Sequence, residues 1–522
     1  MRQFKFQDTA LPVDERVNAL LSELMLDEKL LMITCKQEAI ERLGIRSAKI
    51  GTEAARGLVC RWEPSLDVQF GEEPTTVFPQ PFGLAATFDP ELMHEIGVAA
   101  STEARIYNME GKSSLFLWSP TVDLERDPRW GRTEEGYGED PCLTVAMAAA
   151  YTKGMYGDDE RHARTIPTLK HFYANNHEED RTCDNASIPI GLKHDYYLKV
   201  FEEPIKNGGA RSVMTAYNEI NGVEAMCSPE VGELKKSGLL FSVTDGWDFV
   251  QNVTRHKTDV RHAEALARMY KNHGADILND ERDVAEAAAR EALERGLITE
   301  SDIDNAIFGA LKARFLLGEF DDDGVYNELP HELVCCDDHL KTALRAAEES
   351  IILLRNKHGV LPLDPKESCA VIGVHADMNF RDWYTGYSEK TPTILDGLTA
   401  IIGKENIVYE SGNDIIALRN AQNGFYFEVT EDGSFVCDSP LINEKCLLEI
   451  FEWGDGAVSF KSKYNNKFLS DRGIMKCDSD IPFGWNVSEK FTLERRGNEI
   501  ALKNWQNRYL YTTDYHVFAV CF

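Results

Sequence analysis

No apolar run in the 522-residue chain approaches the length of a membrane span. The N-terminal stretch MRQFKFQDTALPVDERV lacks the apolar core of a signal peptide, so a cytoplasmic location is expected. The twelve cysteines are scattered, contain no CxxC pair, and include the adjacent Cys335 and Cys336, an awkward geometry for ordinary disulfides. A reduced, disulfide-free chain fits that usage. Positive charge is scarce: 56 Lys and Arg stand against 87 Asp and Glu, a formal net charge of −31. This balance argues against nucleic acid, an anionic membrane surface or an acidic substrate as partner. No GxGxxG follows a strand-like run, which removes the main sign of a dinucleotide-binding sheet. No metal site and no cofactor are expected.

What remains is an ordinary soluble composition, 43% apolar and 27% charged, long enough for two to four domains. Short apolar runs recur near residues 47, 117, 168, 213, 241 and 276, each ending in polar groups, mostly with helix-like segments between them. Helical spacing covers 14–33, 261–272 and 283–295, and Thr299-x-x-Asp302 caps a helix running to about Leu317. This is the βα rhythm of a TIM-like (β/α)8 barrel with its site at the carboxyl ends of the strands. An open doubly wound sheet is the main alternative.

The stretch Gly238–Phe249, GLLFSVTDGWDF, is the clearest candidate site: a buried strand breaks off at Thr244-Asp245-Gly246-Trp247. Alone, Asp245 would read as a helix cap. Three further segments end in similar chemistry: the densely charged loop 124–141, Lys170-His171 after TIPTL, and Tyr217-Asn218 after RSVMTA.

Four motifs in order resemble glycoside hydrolase family 3 over roughly residues 10–412. They are Ser119-Pro120…Asp123…Arg126-Asp127-Pro128-Arg129-Trp130-Gly131-Arg132, Lys170-His171-Phe172…Asn176…Glu178…Arg181, Met214…Tyr217-Asn218…Asn221-Gly222, and Thr244-Asp245-Gly246. The resemblance implies an exo-acting retaining β-glycosidase of the β-glucosidase or β-xylosidase type, acting on an oligosaccharide or an aryl or alkyl glycoside. It makes Asp245 the nucleophile. Arg132, Lys170 and His171 would hold sugar hydroxyls, Glu53 would bind hydroxyls at the base of the pocket, and Tyr217 would lie beside the nucleophile. Glu53, within Gly51-Thr-Glu-Ala-Ala-Arg-Gly57, leans toward the xylosidase branch. Bottom-up chemistry asks for the same parts: an ionised carboxylate under the anomeric carbon, kept so by nearby cations, and a second, protonated carboxyl about 5–5.5 Å away. Trp247 or Trp130 could stack on a sugar face. No Glu is assigned as acid/base. His177 with Glu178 or Asp180 is a weak substitute pair. The alternative is a carbohydrate-binding protein or an inactive fragment lacking the proton donor, and homo-oligomerisation stays open.

The expected domains are a barrel at 1–318, a linker at 319–337 that opens with the acidic stretch GEFDDDGVYNELP of Gly318–Pro330, a partial α/β sandwich at 338–413, and an all-β segment at 414–522. In that last segment copies beginning at Ile416, Val458 and Ile500 are spaced 42 residues apart (458 − 416 and 500 − 458). Three such copies suggest a β-trefoil, its third copy read as incomplete, and the pattern resembles fascin-like repeats rather than the QxW repeats of ricin-type lectins.

Overall fold

The computed structural model describes residues 4–62, 69–70, 73–322, 324–482, 487–513 and 516–520. It divides into two compact units. The first comprises Met1–Leu353 with Tyr384–Glu389, the second Leu354–Trp383 with Lys390–Phe522.

The first unit is α/β. Its centre is a parallel sheet in which Phe116–Leu117, Ile166–Phe172, Ser212–Thr215 and Phe241–Thr244 lie side by side in chain order. All four strands are buried along their whole length, and apart from Lys170 and His171 at the end of Ile166–Phe172 they are apolar or small-residue runs rather than alternating ones. Pairing continues beyond both edges through parallel bridges from Val243 to Ile277, from Leu278 to Thr34, and from Leu117 to Thr52. The N–H of Ile50 donates to the Cys35 carbonyl at 2.8 Å, and that of Cys35 to the Leu278 carbonyl at 2.9 Å, so the succession of pairings returns to where it began. Helices follow the strands, among them His262–Lys271 and Arg282–Glu294, and Glu300–Leu316, where Asp302 accepts from the Thr299 N–H at 2.7 Å. The Pro90–Met109 and Pro141–Tyr156 helices approach so closely that a Cβ on Gly97 would lie 2.3 Å from the Tyr151 carbonyl oxygen.

Two sequence expectations change here. The 14–33 segment is not one helix: Val13–Glu23 ends at Leu24, whose backbone is extended, and Leu26–Leu30 starts afresh, with Glu28 accepting from the Met25 N–H at 2.9 Å. The acidic stretch expected as an interdomain linker, and the helix Asp337–Ser350 expected to open the second domain, both fold within the first unit. Asp321 is buried, pairing with Arg16 at 2.6 Å and His162 at 3.0 Å. Phe320 packs on Phe315 and Phe6. The buried Glu103 accepts from the Cys335 N–H at 3.0 Å and pairs with His339 at 3.1 Å, while Ala346 is fully buried in the core. Buried charges need such partners, and these fix the segment in place.

The second unit opens with Cys369–Ile372 paired in parallel with Ile407–Glu410, joined through the Ile394–Ile402 helix that Thr393 and Asp396 cap. From Ile415 onward the described strands are antiparallel and form one eleven-stranded network. The repeat has a local cause. Asn420, Ser462 and Asn504, 42 residues apart, each turn a side-chain oxygen onto backbone N–H groups two residues further on. Val429, Phe435, Val458, Phe460, Leu469 and Phe491 form its core. Among the described residues, no helix is long and apolar enough to cross a membrane.

Candidate functional site

The carboxyl ends of the parallel strands converge on Asp245, which directly follows Phe241–Thr244. One carboxylate oxygen accepts from the Gly246 N–H at 2.7 Å. The other lies 3.7 Å from His171 Nε2, and the side chain keeps 20% of its surface open to solvent. A nucleophile needs this combination of anchoring and access.

His171 and Lys170 come from the end of the next-but-one strand in the sheet, Ile166–Phe172. His171 Nδ1 bonds Asp123 Oδ2 at 2.8 Å. The His171 backbone N–H and Asn175 Nδ2 also donate to Asp123, at 3.2 and 3.3 Å. Burial pushes the Asp123 carboxyl up from its ordinary value, against the pull of Arg132 and these donors. Burial, followed by the charges of Arg132 and Lys170, holds His171 well below the usual histidine range, so the imidazole is neutral. Arg132 Nη2 lies 3.3 Å from Nε2. A guanidinium can only donate, so Nε2 carries no hydrogen and Nδ1–H is the donor to Asp123.

Arg132 also forms a two-pronged pair with Glu135, both contacts at 2.8 Å, and donates to the Tyr384 hydroxyl at 2.9 Å. Burial works against its charge, but Tyr384 and Glu135 raise its pKa well above the ordinary value. Lys170 Nζ pairs with Glu53 Oε2 at 2.8 Å and lies 4.7 Å from the centre of the Tyr384 ring. Both cations therefore meet carboxylates other than Asp245. Glu53 itself is positioned by Thr52, whose N–H donates to Phe116 and whose carbonyl accepts from Trp118.

Tyr217 donates its hydroxyl proton to the Gly246 carbonyl at 2.9 Å, beside Asp245, and its ring lies 4.7 Å from the Arg181 guanidinium. Burial, then the Asp245 charge, raises its pKa, keeping the phenol protonated. Trp247 adopts a left-handed backbone with φ 58° and leaves 44% of its surface exposed, whereas Trp130 is buried and offers no stacking face. His177 pairs with neither Glu178 nor Asp180. It lies 3.6 Å from Asp184, while Glu178 is engaged by Arg181. Behind the site, the Asp280 carboxylate accepts from the N–H groups of Phe249 and Val250, at 3.3 and 3.2 Å. Burial pushes its pKa up to about 7.

Three participants had not been singled out as site residues: Asp123, Glu135 and Tyr384. Asp123 closes the strand-like run LFLWSPTVD within the first motif, and Glu135 sits in the charged loop, where nothing separates it from solvated neighbours. Tyr384 lies 252 positions from Arg132.

Residues 63–310 match the description "Glycosyl hydrolase family 3 N terminal domain". Over that stretch the chain is similar to the N-terminal domain of glycoside hydrolase family 3. Curated relatives include a probable beta-D-xylosidase 7 of Arabidopsis thaliana, 30% identical over 80% of this chain and 57% of its own length. Another is a xylan 1,4-beta-xylosidase of Xylanibacter ruminicola, 30% identical over 78% and 48% respectively. Among solved structures, the exo-beta-xylosidase XlnD, in complex with a xylobiose aziridine probe, matches with a TM-score of 0.71 at 26% identity, covering 78% of this chain and 54% of that one. The chain spans about half the length of the relatives it matches.

Proposed function

We propose that the chain is a retaining exo-β-glycosidase that removes a terminal sugar of the xylose or glucose type from an oligosaccharide or aryl glycoside. The observation that carries this reading is the partly open Asp245 carboxylate at a strand's end, 3.7 Å from His171 Nε2 with Arg132 beyond it. In this proposal an Asp245 oxygen attacks the anomeric carbon and the glycosidic bond breaks, the leaving oxygen departing as the phenolate of an aryl glycoside or taking its proton from solvent. Water then displaces Asp245 and restores the original anomeric configuration. Arg132, Lys170, His171 and Glu53 bind sugar hydroxyls, Tyr217 supports the nucleophile's loop, and Trp247 offers a stacking face. The xylosidase relatives and Glu53 favour a pentose.

The same reading takes the returning succession of strands in the first unit as a barrel of the TIM type. It takes the 42-residue repeats as a β-trefoil-like, fascin-like body appended to a partial sandwich.

The test is turnover of p-nitrophenyl β-xyloside and β-glucoside by the 522-residue chain and by Asp245→Asn. A nitrophenolate departs without a proton, so this assay isolates nucleophilic attack from acid catalysis. Loss of about three orders of magnitude or more in Asp245→Asn supports the proposal. Equal turnover by both proteins refutes it. Binding of xylo-oligosaccharide without turnover by the parent chain supports the carbohydrate-binding alternative.

A further inference from the structure

The second unit contains a cleft of about 320 Å³ that has no part in the chemistry above. Its position is informative. One wall is the carboxyl end of the parallel pair Cys369–Ile372 and Ile407–Glu410, reached by Asp377, Tyr409 and Glu410. The carboxyl ends of parallel strands are where open α/β sheets place their ligands. The opposite wall is the hairpin of Leu448–Gly454 and Ala457–Ser462, which contributes Phe451 and Lys461. The volume falls at the small end of ligand sites, about 300–1,000 Å³.

Several polar groups facing the cleft are uncommitted. Among the described residues, the Asp377 carboxylate, the Glu410 carboxylate and the Tyr409 hydroxyl have no hydrogen-bond or ion-pair partner. Half-buried Lys461 lies 5.5 Å from the Phe468 ring and feels the charges of Glu449 and Asp377. Burial lowers the Lys461 pKa. Glu449 is held in place by Asn413 at 3.2 Å and Lys463 at 3.4 Å. The lining thus sets two lysines against three carboxylates.

That near-cancellation disfavours an anion, which would meet three carboxylates, and equally a metal cation, which would meet two ammonium groups. It suits a neutral ligand carrying many hydroxyls, each able to donate and accept. The half-buried ring of Tyr409 supplies flat apolar surface for the C–H face of such a ligand, while Phe451, buried and stacked on Trp453, backs the wall behind it. We propose that this cleft is a second carbohydrate site, holding one or two neutral sugar units by hydrogen bonds that Lys461 and Tyr409 donate and Asp377 accepts.

The proposal is independent of catalysis at Asp245, and its test keeps the two apart. The full chain carrying Asp245→Asn, which cannot complete turnover, is titrated with xylotriose by calorimetry and by saturation-transfer NMR. The same titrations are made with Tyr409→Ala and Lys461→Met added separately. The expected result is that each addition removes one bound equivalent or weakens it roughly tenfold. Tyr409→Ala in the otherwise unaltered chain keeps aryl-xyloside turnover and the thermal midpoint, which shows that it folds. Xylotriose binding that is the same in all three proteins overturns the proposal. So does binding of sulfate or calcium to the cleft in place of the sugar. If the parent chain hydrolyses nothing, the glycosidase reading fails, while the loss of one equivalent in both variants still identifies the cleft as a sugar site.

Discussion

Replacing Asp123 by Asn tests how the site holds His171. The carboxylate receives three donors: His171 Nδ1–H and Asn175 Nδ2 on one oxygen, and the His171 backbone N–H on the other. An asparagine has a single oxygen. If that oxygen faces Nδ1, the amide NH2 confronts the backbone N–H of His171. If the amide is flipped, NH2 confronts Asn175, and the imidazole must shift its hydrogen to Nε2, where it meets the Arg132 guanidinium now 3.3 Å away. Either way one buried donor is left unsatisfied, at a cost of about 1–3 kcal/mol. Expressed at the transition state, that is roughly a 10- to 100-fold loss in kcat/KM, because each ~1.4 kcal/mol is a factor of ten. The assay is the steady-state rate on p-nitrophenyl β-xyloside, with the thermal midpoint measured alongside so that unfolding is not mistaken for mispositioning. Activity within about threefold of the parent, in a protein of unchanged stability, would refute the hydrogen-bond assignment.

Other outcomes follow from the same geometry. Glu53→Gln strands the Lys170 ammonium, whose side chain is 2% exposed, and should cost about 3–5 kcal/mol in urea unfolding. Adding Lys170→Met should restore part of that loss, and a double variant as unstable as the sum of the singles would contradict it. Gly97→Ala places a methyl 2.3 Å from the Tyr151 carbonyl oxygen and should destabilise by about 1–3 kcal/mol in scanning calorimetry, an unchanged midpoint being the failing result. Asp280 has a folded pKa raised to about 7 by burial. The folded state therefore binds more protons than the unfolded one between about pH 4 and pH 7, and stability falls as pH rises through that window. Asp280→Asn should raise the thermal midpoint relative to the parent at pH 8 and not at pH 5, and parallel pH profiles would rule this out.

The residues legible in the sequence were those announced by a local pattern. Asp245, Lys170 and His171 each end an apolar run, and a run that stops at a charged group marks a strand end whatever its neighbours are. The 42-residue repeat was legible because its turns are made by the segment itself, through Asn420, Ser462 and Asn504. The remainder depends on partners far away in the chain. Asp321 reads as a linker residue in GEFDDDG because its partner Arg16 lies 305 positions earlier. Nothing around Tyr384 reports that Arg132 will donate to it. Asp123 stood within a recognised motif, yet its grip on His171 depends on the imidazole's orientation, which no spacing encodes.

The short excursion Tyr384–Glu389 has a consequence for modularity. Its six residues pack with the first unit although the chain on both sides of them packs with the second. Arg56 and Arg132 both bond into it, through Thr385 and Tyr384. Ending the polypeptide at Leu353 would therefore remove an acceptor from the arginine beside His171, and recombination at that junction would import a foreign residue into the sugar pocket proposed above. The first unit is not a cassette with one cut site. It can be transferred intact only together with the strand and loop that deliver Tyr384.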